Sequence, residues 1–162
     1  MKNKISYIKG EQKKVVKIVT KKFKEYYLTG GTALSFYFAY RFSEDLDFFT
    51  QEYRKEEPER IMNFISKETG FNFKLDAEQD DPKLIPMKVY FLELRRGCVL
   101  KMDFVQDFQK NIKRIKDGMH SVEDIYYSKI SAAMGTIKKQ DTTGRVFHAG
   151  RQSVKDLFDL YY

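Results

Sequence analysis

The sequence predicts an α+β domain: a mixed β-sheet flanked by helices, with further helix toward the C-terminus. Three observations lead there. Segments with helical apolar spacing alternate with short strand-like runs up to residue 75, so the early strands are joined by helical crossovers. Two longer strand-like runs then follow, separated by Arg95-Arg96-Gly97, a short polar turn that marks an antiparallel hairpin. Beyond residue 120 the apolar spacing is helical again. No repeat, low-complexity tract or long linker divides the chain. Its 162 residues suit one domain, with a sheet-bearing core over about 1–108 and a helical part over about 109–162.

The elements follow in order. Residues 11–25 set Val15, Val16, Ile18, Val19 and Phe23 among lysines, an amphipathic helix. Tyr26 to Thr29 reads as a short strand that stops at Gly30-Gly31. Thr32 to Tyr40 is apolar nearly all round, which predicts a buried helix. Asp45 to Thr50 is the next strand. Pro58 opens a helix carrying Ile61, Met62, Phe64 and Ile65 and ending at Gly70. Phe71–Leu75, Met87–Leu94 and Cys98–Val105 are strands, and the stretch from Glu78 to Pro82 is a loop. Ser121 starts a helix, with Asp124 as its capping-box-like partner, that runs to about Lys139. Asp141 to Gly150 is a polar loop. A final amphipathic helix places Val154, Leu157, Phe158 and Tyr161 on one side.

Composition narrows the function classes. A 42% hydrophobic share, with 14 Phe and 11 Tyr, is enough for a core and argues against wholesale disorder. No apolar run reaches membrane-spanning length and the lysine-rich start lacks a signal peptide's hydrophobic segment, so a soluble, cytoplasmic protein is expected. The single cysteine, Cys98, reads as a near-core residue of a reduced compartment. His120 and His148 belong to no metal-ligand spacing, which disfavours zinc. The net charge of +7 is clustered: nine lysines and one acid lie between Lys2 and Lys24, and Lys110, Lys113, Arg114 and Lys116 follow Asp103 closely. Such clusters suit phosphate backbones, or form solvated helix faces, and both readings stay open.

The carboxylates carry the chemistry. Side chains alternate along a strand, so Asp45 and Asp47 share one face while Leu46 and Phe48 point to the core. In the Cys98–Val105 run, Leu100, Met102 and Phe104 form the apolar face and Asp103 lies opposite with Lys101. Were the two strands neighbours, three anions would converge, and their mutual repulsion calls for cations. Mg²⁺ prefers such oxygen ligands, and two ions about 3.5–4 Å apart can activate a hydroxyl and neutralise a leaving pyrophosphate. Gly30-Gly31 precedes a helix whose N-terminal N–H groups can meet a phosphate, although a tight turn alone would also call for glycine. On the helix from Ser121, Lys129 falls within the stripe of Val122, Ile125, Tyr126, Ile130, Ala133 and Ile137, aimed inward rather than at solvent. Asp156 and Asp159, off the apolar side of the last helix, read on their own as exposed acids able to pair with Lys155 or Arg151.

At Gly30-Gly31-Thr32-Ala33-Leu34, followed by Arg41-x-Ser43-x-Asp45-Leu46-Asp47-Phe48-Phe49, the chain resembles the nucleotidyltransferase toxins of the AbiEii/AbiGii type, within the DNA polymerase β-like nucleotidyltransferase superfamily. The resemblance extends to Lys129 and to Lys155-Asp156-Leu157-Phe158-Asp159-Leu160 and covers the chain from about Tyr26 onward. It implies the polymerase β-like nucleotidyltransferase fold. It also implies Mg²⁺-dependent transfer of a nucleotide from an NTP to an acceptor hydroxyl, RNA and notably the 3′ end of tRNA, in a type IV toxin–antitoxin or phage-defence setting with an antitoxin encoded nearby. Carried over by position, Asp45 and Asp47 would be metal ligands, with Asp103 the third carboxylate. Gly30, Gly31 and Thr32 would hold triphosphate, and Lys129 and Asp156 would complete the nucleotide site. Arg41 and Ser43 either orient the Asp45 strand or touch phosphate. The chain departs from many relatives at Tyr40, where they have histidine, and in being shorter. Protein or small-molecule acceptors such as an antibiotic, and a non-catalytic nucleotide-binding module, are the alternative readings.

Overall fold

The computed structural model describes residues 2–134, 137–140, 146–149 and 154–161. Its first helix, α1 (Lys2–Lys22), begins nine residues earlier than residue 11, and Ile8 extends the inward stripe of Gln12, Val15, Val16 and Val19 by one further turn. Strand β1 (Tyr27–Thr29) leads at once into α2 (Gly30–Phe38), which the left-handed Ala39 ends. Strand β2 (Leu46–Thr50) shows the alternating burial expected of a half-buried strand. Helix α3 (Glu57–Thr69) ends at Gly70, whose φ of +71° is open to glycine at little cost.

Strand β3 (Asn72–Gln79) runs beyond Leu75 through a register shift between Leu75 and Ala77, so Glu78 and Gln79 are strand rather than loop. It is an edge strand rich in charge, which discourages pairing with other chains. Strands β4 (Met87–Glu93) and β5 (Val99–Gln106) form the expected hairpin, turning at the left-handed Arg96 and Gly97. Cys98 is buried beside it. Helix α4 (Val122–Met134) is five residues shorter than expected. Strands β6 (Ile137–Gln140) and β7 (Val146–Ala149) then pair as a separate hairpin where helix end and loop were read. The part after residue 109 is therefore not purely helical. The overlooked signal is Gly135 followed by β-branched Thr136 and Ile137, which disfavours helix and favours strand. Helix α5 (Val154–Tyr161) closes the described chain.

The five-stranded sheet has the order β1-β2-β5-β4-β3, and β2–β5 is its parallel pair. One face packs Leu46, Phe48, Leu100, Met102 and Phe104 under α1 and α3, with Val15, Val19, Ile61 and Ile65 in the same core. Tyr26 meets Phe104 edge-on, and Phe48 and Phe104 stack. Because side chains alternate, the same strands turn Asp47 and Asp103 to the opposite face, which α2, α4 and α5 border. Among the described residues no helix is long and apolar enough to cross a membrane.

Candidate active site

The parallel register pairs Leu46 with Met102 and Asp47 with Asp103. Adjacent strands lie about 4.8 Å apart, so burying the two apolar neighbours forces the two carboxylates side by side on the other face. Asp45, just before β2, joins them along one wall of a cleft of about 250 Å³. Burial, and then the neighbouring charges of Asp103 and Asp45, push the Asp47 carboxyl up to about 7, against the opposing pull of Lys101 and Lys129. Lys101 holds an oxygen of Asp103 at 2.7 Å. Among the described residues no three His, Cys, Asp or Glu side chains stand as a ready-made ligand cluster. The three predicted metal ligands thus form a row in the sheet, with one member already paired to a lysine.

The glycine turn forms the floor. Gly30 has φ +70°, and a Cβ there would lie 2.5 Å from Asp47 Oδ2. A Cβ on Gly31 would collide with the Arg41 guanidinium and come within 3.2 Å of Ser43 Oγ. A side chain at either position would displace Asp47 or Arg41, and Gly30 is also suited to its backbone conformation. The Thr32 hydroxyl does not open into the cleft. It is fully buried and donates to the Asp45 carbonyl, tying α2 to the start of β2. On the far side of α1, Gln12 donates to the carbonyls of Ser43 (2.8 Å) and Glu44 (3.1 Å), which fixes the same segment from behind.

The helical wall faces this row. Lys129 is 8% exposed and reaches Asp156 at 2.8 Å and Asp159 at 2.7 Å. Asp159 is fully buried and takes a two-pronged bond from Arg41, Nε at 2.6 Å and Nη2 at 2.8 Å, and another from the Tyr40 hydroxyl. Burial alone would raise the Asp159 carboxyl, but the bonds from Arg41, Lys129 and Tyr40 bring it down to about 2. The bond to Asp159 in turn raises the Arg41 guanidinium above its usual value. A second cleft opens between Arg41, Ser43 and Lys155, sharing Gly31, Asp45, Asp47, Lys129 and Asp156 with the first.

Residues 18–162 match the family model of the nucleotidyl transferase AbiEii toxins of type IV toxin–antitoxin systems. The chain belongs to this family. Its fold is also that of JHP933 from Helicobacter pylori, with a TM-score of 0.61 at 19% identity. That alignment takes in 98% of this chain and 65% of JHP933. MenT4, a nucleotidyltransferase toxin from Mycobacterium tuberculosis, gives a TM-score of 0.56 at 12% identity, over 80% of this chain and 53% of its own. The chain thus spans about two thirds or less of the length of these relatives. No curated protein is significantly similar to it in sequence.

Seen as an AbiEii chain, the structure brings Gly30, Gly31, Asp45, Asp47, Asp103, Lys129 and Asp156 to one cleft and puts Arg41 and Ser43 on its extension. Two expectations are overturned. Asp156 and Asp159 are buried, not exposed, and the apolar residues Leu157, Phe158 and Tyr161 of α5 face outward instead. The strong charge network around Lys129 outweighs the apolar stripe in orienting a helix of eight residues. Likewise Ile130 is 46% exposed, displaced from the inward face of α4 by Lys129 itself. Sequence reasoning missed Asp159 and gave Lys101 no role. The signal for Asp159 was available: it lies three residues after Asp156, on the same helical side, and a buried lysine needs more than one anion. Of the two acids expected to meet Arg151 or Lys155, both meet Lys129; Arg151 lies outside the described residues.

Proposed function

We propose that this chain is a Mg²⁺-dependent nucleotidyltransferase that moves an NMP from an NTP onto an acceptor hydroxyl of RNA, the 3′ end of tRNA foremost. It would act as a toxin whose partner is an antitoxin. The observation that supports this most is the parallel β2–β5 register, which lines Asp47 up with Asp103 opposite the Gly30-Gly31 turn. The donor set fits a hard divalent cation: every candidate ligand is a carboxylate oxygen, and burial together with repulsion from Asp103 and Asp45, which such an ion relieves, raises the Asp47 carboxyl. Asp45 and Asp47 would hold it, with Asp103 beside them. When bound, Mg²⁺ supplies charge neutralisation for the triphosphate and lowers the acceptor hydroxyl's pKa.

The protein's own groups do the rest. The N–H groups opening α2 would meet the phosphates, and the two glycines let Asp47 and Arg41 lie close against the same turn. Lys129, held by Asp156 and Asp159, is aimed at the same cleft as a fixed cation. Asp103 accepts the acceptor hydroxyl's proton. The acceptor oxygen bonds to the α-phosphorus as the bond to the pyrophosphate oxygen breaks. Positioning and charge account for most of the rate in such transfers. The test is incubation with total RNA, Mg²⁺ and each α-³²P-labelled NTP in turn, resolved on a denaturing gel. A labelled tRNA-sized band with one NTP is the expected result. No labelled RNA with any NTP, alongside labelled protein or small molecule, would overturn the RNA acceptor while leaving nucleotidyl transfer intact.

A further inference from the structure

The segment joining β5 to α4 combines a tightly held backbone with outward side chains of one character. From Phe108 to Lys116 there is no acidic residue and four cations, Lys110, Lys113, Arg114 and Lys116, all exposed. Phe108 is 67% and Ile112 56% exposed. Beneath them buried polar groups fix the chain. Asp107 donates its N–H to the Thr50 carbonyl at 2.7 Å, and its carboxylate accepts from the Tyr27 hydroxyl (2.6 Å) and the Gln109 N–H (2.9 Å). Asp124 accepts from the backbone N–H groups of Ile112 and Lys113. His120 Nε2 lies 2.6 Å from Asn111 Oδ1, so Nε2–H donates there and Nδ1 accepts from the Thr29 hydroxyl at 3.0 Å. Burial keeps His120 below its usual pKa and so in this neutral form near pH 7, despite Asp124 and Asp107 nearby.

Two of these anchors also line the cleft. Thr29 holds His120, and the Ser128 hydroxyl donates to the Gln109 side chain at 3.2 Å. The segment therefore borders the cleft, five residues along the chain from Asp103. Rigid, cationic and carrying an exposed aromatic ring, it matches what sequence-tolerant binders of single-stranded nucleic acid present: cations along the backbone and a ring on which a base stacks. Lys110 separates Phe108 from Ile112, which suits a strand more than a continuous apolar protein interface. Lys113 has an exposed partner, Glu123, at 3.8 Å, a pair that a phosphate can displace.

We propose that residues 108–116 dock the unpaired 3′ end of the acceptor RNA, with a base stacked on Phe108 and phosphates held by Lys110, Lys113 and Arg114. The inference rests on the RNA acceptor reading above. Its test is fluorescence anisotropy with a 5′-labelled RNA stem carrying a four-nucleotide 3′ overhang, against the blunt stem, over a salt series. Nucleotide binding is followed in parallel by the melting-temperature rise with NTP and Mg²⁺. The full chain is expected to prefer the overhang. Phe108→Ala should weaken that binding by about tenfold, and Phe108→Tyr should restore it. The triple Lys110→Ala/Lys113→Ala/Arg114→Ala variant should lower the slope of log affinity against log salt by about 2. Lys14→Ala/Lys17→Ala/Lys21→Ala, on α1 over the opposite face of the sheet, should bind the overhang as the parent does. All variants should keep their NTP-induced melting shift, and the single Phe108 exchanges stand in if the triple variant does not fold. If the platform variants bind like the parent, or the loss appears in the α1 variant, the platform is wrong while the RNA reading stands. If the parent transfers nucleotide to protein or a small molecule and binds no RNA, both fall.

Discussion

Two aspartates on the two sides of the cleft meet opposite fates. Asp47, on the sheet wall, sits among Asp45 and Asp103 and is pushed up to about 7. Asp159, on the helical wall, sits among Arg41, Lys129 and Tyr40 and is brought down to about 2. Both carry the same chemical group out of bulk water, so the difference lies in what surrounds them. The helical wall neutralises itself: two aspartates meet two cations within hydrogen-bond distance. The sheet wall gathers three carboxylates around Lys101, a sum that leaves room for added positive charge. The helical wall satisfies its own charges, whereas the sheet wall keeps more carboxylates than cations.

The comparison can be broken by exchange of each residue in turn. Asp47→Ala should remove the largest share of activity, about a hundredfold to a thousandfold in labelled-NMP transfer, as loss of a central electrostatic element does. Its fold should survive, because it relieves repulsion. Asp159→Ala should do the reverse, costing about 3 kcal/mol in urea unfolding because Arg41 and Lys129 are left facing a vacated buried site. The parent should also show an acid arm from this residue. A folded pKa below the unfolded one stabilises above about 4, and that contribution is lost as pH falls toward about 2. The acid arm should shrink in Asp159→Ala to what Asp124, also held below its usual value, contributes. Gly30→Ala comes next. With φ at +70° and Asp47 Oδ2 2.5 Å from the new Cβ, it should cost about 1–3 kcal/mol in the same assay and reduce transfer. The smallest effect belongs to Tyr40→Phe, about 1 kcal/mol from one lost bond to Asp159. Tyr40→His should recover part of it.

How far the sequence could be read follows the same division. The sheet wall was legible because its information is local: alternation in β2 and β5 fixes which side chains share a face, whatever the partner. Its missing piece was the parallel pairing of β2 with β5, a contact more than fifty residues apart that no turn signal announces. The helical wall was hidden because its logic is tertiary. An amphipathic stripe predicted that Leu157, Phe158 and Tyr161 face inward, and the buried charges of Lys129 and Arg41 turned the helix over. The family motif nonetheless marked Lys129 and Asp156, and left Asp159, the second ion-pair partner of Lys129, without a role. Lys101 sat in plain view beside Asp103, but a lysine on a strand's polar face looks the same whether it points at a carboxylate or at water.

The central claim is that the sheet wall is a cation site, and the melting temperature against pH, with and without Mg²⁺, tests it most directly. Asp47 has a folded pKa raised above its unfolded value, so its stabilising contribution is full below about pH 4 and is lost as pH rises through about 7. Metal-free protein should therefore lose stability across that window. Mg²⁺ should restore it at pH 8, and Asp47→Asn should abolish both the loss and the restoration. Identical curves with and without Mg²⁺, in a protein that still transfers nucleotide, would contradict the account.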